Sequence, residues 1–65
     1  MPQINLELIR KTRKGKDLTQ SDMAEALHLT RILYNRRENG EVNFKVSELP
    51  ILAQKLGIPI HELYK

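Results

Sequence analysis

No cysteine occurs in the 65 residues. That absence excludes disulfides and thiolate metal sites as sources of stability. A chain this short buries only about 60% of the surface its unfolded form exposes, so a compact apolar core, if need be completed by a partner chain, must hold it together. No apolar run approaches the ~18 residues of a membrane span. No apolar h-region of a signal peptide follows the first residues. These absences lead us to expect a soluble, cytoplasmic protein that does not engage a membrane. Sustained period-2 alternation is missing, so no strands are expected, and there is no repeat or low-complexity tract. Phe44 is the only phenylalanine. His28 and His61 lie far apart in sequence with no acidic residues paired at ligand spacing, and no Ser-His-acid or carboxylate-pair motif stands out. We therefore expect no metal, no cofactor, no small-molecule ligand and no enzyme.

What is present is ordinary for a globular chain: 40% hydrophobic and 29% charged residues. The expectation is a single domain over residues 1–65. The net charge of +3 is unevenly placed. Residues 1–37 hold eight Lys/Arg against four Asp/Glu, whereas residues 38–65 hold three against four. A basic half favours a polyanionic partner, through phosphate neutralisation and counterion release. Lys11, Arg13, Lys14 and Lys16 form a basic run that is either a solvated face or a source of long-range steering.

The apolar spacing predicts five short helices. Pro2 keeps the first residues extended or turning. Asn5 is a candidate N-cap for a first helix that carries Leu6, Leu8 and Ile9 inward and runs to Arg13 or Lys14. Gly15-Lys16-Asp17 reads as a turn, and Leu18 returns to the core. Thr19 with Asp22 is a near relative of a capping box and opens a second helix with Met23, Ala24 and Leu27 on one stripe. His28 sits at the turn that follows, where positive φ is often required and His is among the more tolerant non-glycine residues. Thr30 caps a third helix reaching Glu38. Leu29, together with Leu33 or Tyr34, would face inward from it, and Asn39-Gly40 ends it. Residues 41–46 form a loop that Phe44 anchors. Ser47 would cap a fourth helix with Pro50 at its third position, where no intrahelical acceptor is lost, and with Leu49, Leu52, Ala53 and Leu56 as its stripe. Gly57 stops it, and Pro59 opens a fifth helix with Ile60, Leu63 and Tyr64.

The segment from Leu18 to Gly40 carries the most information. Two short amphipathic helices meet at a tight turn, and the second bears Arg31, Asn35, Arg36 and Arg37. A helix of about nine residues is about 13 Å long, a fit for the major groove of DNA. The pattern LTQSDMAEALHLT, then ENG, then LGIPIHELY, resembles the lambda-repressor-like helix-turn-helix family of the Cro and phage-repressor type. The resemblance extends from about Leu6 to Tyr64. Its most specific pieces are Leu18-Thr19-Gln20, the spacing of Met23-Ala24 with Leu27, Glu38-Asn39-Gly40, and Leu56-Gly57 with Leu63.

The resemblance implies a compact all-α bundle and sequence-specific binding of double-stranded operator DNA as a two-fold homodimer. Carried over by position, it implies phosphate contacts from Thr19, Gln20 and Thr30, with Asn39 near the DNA backbone. Arg31, Ile32, Leu33 and Asn35 or Arg36 match positions that face bases. Arginine can bond guanine bidentately, and an exposed Ile32 or Leu33 can pack on a thymine methyl. Arg36 could equally hold a phosphate, and Leu33 could equally pack in the core. Glu38 would form the family's buried ion pair with Arg13 or Arg10.

Three residues depart from the pattern. Arg37 stands where an apolar core residue is usual, and would snorkel outward to a phosphate or pair with an acid. Thr12 replaces Leu, and His28 replaces Gly. The apolar cluster Ile58, Ile60, Leu63 and Tyr64 either closes the core or forms part of a homodimer interface. The function expected is a transcriptional regulator of a bacterium or phage, in the role of a repressor. Its rival is a protein-interaction module of the same fold, antitoxin-like or the partner of another regulator.

Overall fold

The computed structural model describes residues 3–65, so Pro2 lies outside the described residues. Four α-helices follow in order: α1 (Leu6–Gly15), α2 (Gln20–Ala26), α3 (Arg31–Glu38) and α4 (Leu49–Leu56). Each of the first three starts where a polar side chain replaces a missing backbone acceptor. The Leu8 N–H donates to the Asn5 side chain at 3.1 Å. The Asp22 N–H donates to Thr19 Oγ1 at 3.0 Å while the Thr19 N–H donates to Asp22 Oδ2 at 2.8 Å, which completes the capping box. The Leu33 N–H donates to Thr30 Oγ1 at 3.2 Å.

Sharp turns separate these helices. His28 takes φ 58° between α2 and α3, and Asp17 takes φ 57° between α1 and α2. After α3 it is Gly40, at φ 83°, that enters the left-handed region, while Asn39 keeps a right-handed φ of −84°. A Cβ on Gly40 would also come within 3.2 Å of Leu6, so conformation and close approach both favour glycine there.

The core gathers one stripe from each helix. Ile9, Met23, Tyr34, Leu52 and Leu56 are fully buried, joined by Ala24, Leu27, Leu49, Ala53 and Leu63. Tyr34, not Leu33, is the inward residue of α3. Phe44 brings the loop after α3 onto the core and meets Tyr34 edge to face, with ring centroids 6.2 Å apart. The Tyr34 hydroxyl is buried with no hydrogen-bond partner among the described residues.

The C-terminal half differs from the expected five helices in two places. The fifth helix is a four-residue 3₁₀ turn, Ile60–Leu63. Its last residues bond across to the N-terminal segment rather than along a helix. Asn5 N–H donates to the Leu63 carbonyl at 2.7 Å, Lys65 N–H to the Gln3 carbonyl at 2.8 Å, and Ile4 and Tyr64 form an isolated antiparallel bridge. The fourth helix begins at Leu49 rather than at Ser47, after a 3₁₀ turn over Val46–Glu48. Ser47 is not its cap. Glu48 Oε1 instead accepts the Lys45 N–H at 2.8 Å, and Pro50 falls in the first turn of α4.

Arg37 is buried, not directed outward. Its Nε donates to Glu48 Oε1 at 2.9 Å, and both side chains are nearly inaccessible to water. The pair ties α3 to the turn that precedes α4. Removing one member leaves a buried charge without a partner, whereas replacing both with apolar groups does not. We expect Glu48→Ala to cost about 3 kcal/mol in urea unfolding. The double variant Arg37→Leu/Glu48→Leu should recover most of that loss. A single variant no less stable than the double would contradict the pair's assigned role.

Candidate nucleic-acid interface

α2 packs chiefly on α3, and together they form the helix-turn-helix. Their relative placement is set by charge as well as by apolar contact. Arg13 Nε donates to Glu38 Oε2 at 3.0 Å and Arg13 Nη2 to Glu38 Oε1 at 3.0 Å, a two-point fork that fixes both side chains. Arg13 Nη1 donates to the Leu18 carbonyl at 2.9 Å. One guanidinium thus binds the end of α3 to the turn that launches α2. Arg10 reaches the same acid from the half-exposed side, with Nε 3.5 Å from Glu38 Oε1 and Nη2 donating to the Glu38 carbonyl at 3.2 Å. Both candidate arginines therefore meet Glu38, and Arg13 makes the closer, bidentate pair.

Burial pushes the Glu38 carboxyl up, but the hydrogen bonds and charge of Arg13 outweigh it and hold the group below its ordinary value. The Arg13 guanidinium is held above its ordinary value by the hydrogen bond to Glu38. Burial, reinforced by Glu38, raises the Tyr34 hydroxyl. At neutral pH Glu38 is therefore an anion, Arg13 a cation and Tyr34 neutral.

On the outer side of α3, Arg31, Ile32 and Arg36 are exposed, and Asn35 is half-buried. Ile32 is 60% exposed and Leu33 39% exposed, so neither is a core residue. Tyr34, Arg37 and Glu38 occupy the buried side of the same helix. Thr19 and Thr30 are exposed at the starts of α2 and α3. Each hydroxyl spends an acceptor site on its cap and keeps its O–H free to donate. Gln20 is half-buried, with Nε2 donating to Glu38 Oε1 at 3.4 Å and Oε1 accepting from Asn35 Nδ2 at 3.1 Å. Asn39 is exposed and donates from Nδ2 to Asn35 Oδ1 at 3.1 Å.

Arg37, expected at a phosphate, is the candidate that the structure sets apart from this face, because its guanidinium is spent on Glu48. Ser21 and Lys14 are additions. They line an open depression with Arg13, Thr19, Gln20 and Arg31, at the meeting point of α1, α2 and α3. The basic run before Gly15 pointed toward Lys14. Nothing in the pattern singled out Ser21.

Among the residues proposed for a dimer contact, Leu63 is fully buried and belongs to the core instead. Ile58 is partly buried against that core. Ile60 and Tyr64 remain exposed. A separate groove, lined by Leu6, Val42, Phe44, Val46, Leu49 and Tyr64, leaves Val46 83% exposed. Among the described residues no group of three or more His, Cys, Asp or Glu is placed to hold a metal ion. No described helix is long and apolar enough to cross a membrane.

Capped helices, a left-handed His28 between them and an exposed basic edge on the second helix agree with comparison against known families. A helix-turn-helix family model of the Cro/C1 type matches residues 9–63. The chain belongs to this family of DNA-binding regulatory domains, which makes it a DNA-binding transcription regulator of the Cro/C1 type. No curated protein matches the chain.

The depressed Glu38 carboxyl links stability to pH. A group whose folded pKa lies below its unfolded one stabilises the fold above the unfolded value, and that contribution is lost as pH falls through the folded value. Thermal unfolding should therefore show stability falling as pH drops below the ordinary glutamate value of 4.5. Glu38→Gln should be less stable at neutral pH and flatter through that acid window. Equal acid slopes for both proteins would show that Glu38 does not carry the linkage.

Proposed function

We propose that this chain is a repressor that binds a palindromic operator as a homodimer, with α3 lying in the major groove. The observation that carries the reading is the two-sidedness of α3. Arg31, Ile32 and Arg36 are exposed on one side, while Tyr34, Arg37 and Glu38 anchor the other. Ile32 is more than half exposed between basic neighbours. On DNA it fits a thymine methyl, and Arg31 beside it fits the guanine edge.

The supporting contacts follow from what each side chain has left to give. Thr19 and Thr30 offer hydroxyl protons to phosphates, and Lys14, Ser21 and Arg36 extend the polar and basic rim. Such contacts set register and affinity, while base contacts set sequence. Leu33 and Asn35 complete the reading edge. For the dimer, Ile60 and Tyr64 are the exposed members of the C-terminal cluster. A two-fold pair would place its α3 helices one DNA turn apart, about 34 Å. A protein that works on DNA in this way belongs in the cytoplasm of a bacterial cell, native or phage-infected.

A second reading is favoured by the groove around Val42, Val46 and Tyr64, which includes none of the reading residues. In that reading the domain captures a protein partner. Salt dependence separates the two, because a DNA reader loses affinity steeply as salt rises.

Arg31→Ala is the decisive substitution for base reading. Loss of a bidentate guanine contact should weaken operator binding by about 5- to 150-fold, equivalent to about 1–3 kcal/mol, and relax preference at one base pair. Binding to random DNA should change less. Equal losses on operator and random DNA in titrations at fixed salt would contradict base reading by Arg31.

A further inference from the structure

The side-chain amides between α2 and α3 form a chain with a single direction. Glu38, held as an anion by Arg13, can only accept hydrogen bonds. The amide atom of Gln20 that faces it is therefore Nε2, at 3.4 Å. That choice turns Gln20 Oε1 toward Asn35, whose Nδ2 donates to it at 3.1 Å. Asn35 Oδ1 is then the atom that accepts from Asn39 Nδ2, at 3.1 Å. An isolated amide can sit either way round, because exchanging its oxygen and nitrogen hardly changes its shape. Here the anion fixes the first amide, and each amide fixes the next.

Asn35 is the member of this chain that lies on the reading side of α3. Its oxygen is turned toward the Asn39 end of α3 and its nitrogen toward Gln20. Each atom retains capacity: Nδ2 has a second proton and Oδ1 a second lone pair. Amides distinguish bases by the order in which donor and acceptor meet the base edge. A flipped Asn35 would present the reverse order and favour a different base pair.

We propose that Gln20 and Asn39 are specificity-determining residues that act through Asn35, holding its amide one way round before DNA arrives. This rests on the reading in which α3 faces bases and Asn35 is among its readers. It gives Gln20 and Asn39 a role different from phosphate binding. Their hydrogen bonds set which base Asn35 accepts more than how tightly the protein binds. Orientation fixed in the free protein lowers the cost of binding the right site without improving the wrong ones. Glu38 thereby sets polarity at the reading edge as well as geometry in the core.

The test compares the wild type with Asn35→Ala, Asn39→Ala and Gln20→Leu. Each is titrated against the DNA selected by the wild type and against every single base-pair variant of it. Asn35→Ala should abolish preference at one base pair. Asn39→Ala and Gln20→Leu should each reduce discrimination at that same pair by about three- to tenfold, the worth of one hydrogen bond. The preference set by Arg31 should be unchanged. If Asn39→Ala and Gln20→Leu weaken all sites uniformly while Asn35→Ala still erases one preference, the proposal is overturned and base reading by Asn35 stands. If Asn35→Ala changes no preference, that reading fails and the proposal fails with it. Side-chain amide exchange, followed by NMR in the free proteins, tests the chain without DNA. The Asn35 amide protons should exchange slowly in the wild type and faster in Gln20→Leu. Fast exchange in the wild type would overturn the proposal.

Discussion

The pairing of Arg13 with Glu38 is the constraint on which the rest of the structure depends. A carboxylate inside a small domain must be met by a cation and by hydrogen bonds, or the fold loses more than it gains. Glu38 is met by Arg13 at two points, by Arg10 at a third and by Gln20 at a fourth. The net stabilisation from such a pair is small, because desolvation offsets much of the attraction. Its effect is geometric. With the Leu18 carbonyl also held by Arg13, the start of α2 cannot shift against the end of α3 without stranding a charge. The angle between the two helices of the motif is thereby fixed from within.

That constraint explains how an eight-residue helix can serve two purposes. α3 is too short to be stable alone. It persists because Tyr34 enters the core, Glu38 is bound to α1, and Arg37 is bound to Glu48. Those three anchors leave the opposite side free of structural duty. Arg31, Ile32 and Arg36 stand there on a rigid base, which the proposed reading role would need. The second ion pair uses an arginine where an apolar side chain would also fill the space, and it joins α3 to the 3₁₀ turn before α4. Two charged pairs, one at each side of the same helix end, hold the C-terminus of α3 where the chain has little core to spare.

Local chemistry made much of this legible in the sequence. Asn5, Thr19 with Asp22, and Thr30 declare their helices because a cap needs only residues within one turn. His28 was readable as a left-handed turn because two apolar stripes met there with no glycine between them. Asp17 was not, since Gly15 stood close by as the easier candidate for such a conformation. The features that escaped depend on partners distant in sequence. Arg37 and Glu48 are eleven positions apart across a loop, so the pattern offered an acid partner only as one option. The bonds between the 3–5 and 63–65 segments have no periodic signature, yet they turn the expected fifth helix into a 3₁₀ turn and leave Leu63 inside. The amide chain through Gln20, Asn35 and Asn39 joins two helices, and no spacing rule along one helix could reveal it. That Arg31, Ile32 and Arg36 share the exposed side of α3 was legible from the helical spacing and from the family resemblance.

Base reading by two symmetric copies of α3, as proposed, would leave its mark on the DNA the protein prefers. The measurement is selection of preferred sites from a random pool of double-stranded DNA. The expected result is enrichment of an inverted repeat whose half-sites are centred one helical turn apart, about 10 base pairs. Recovery of no preferred sequence, or of a single half-site with no inverted partner, would contradict it.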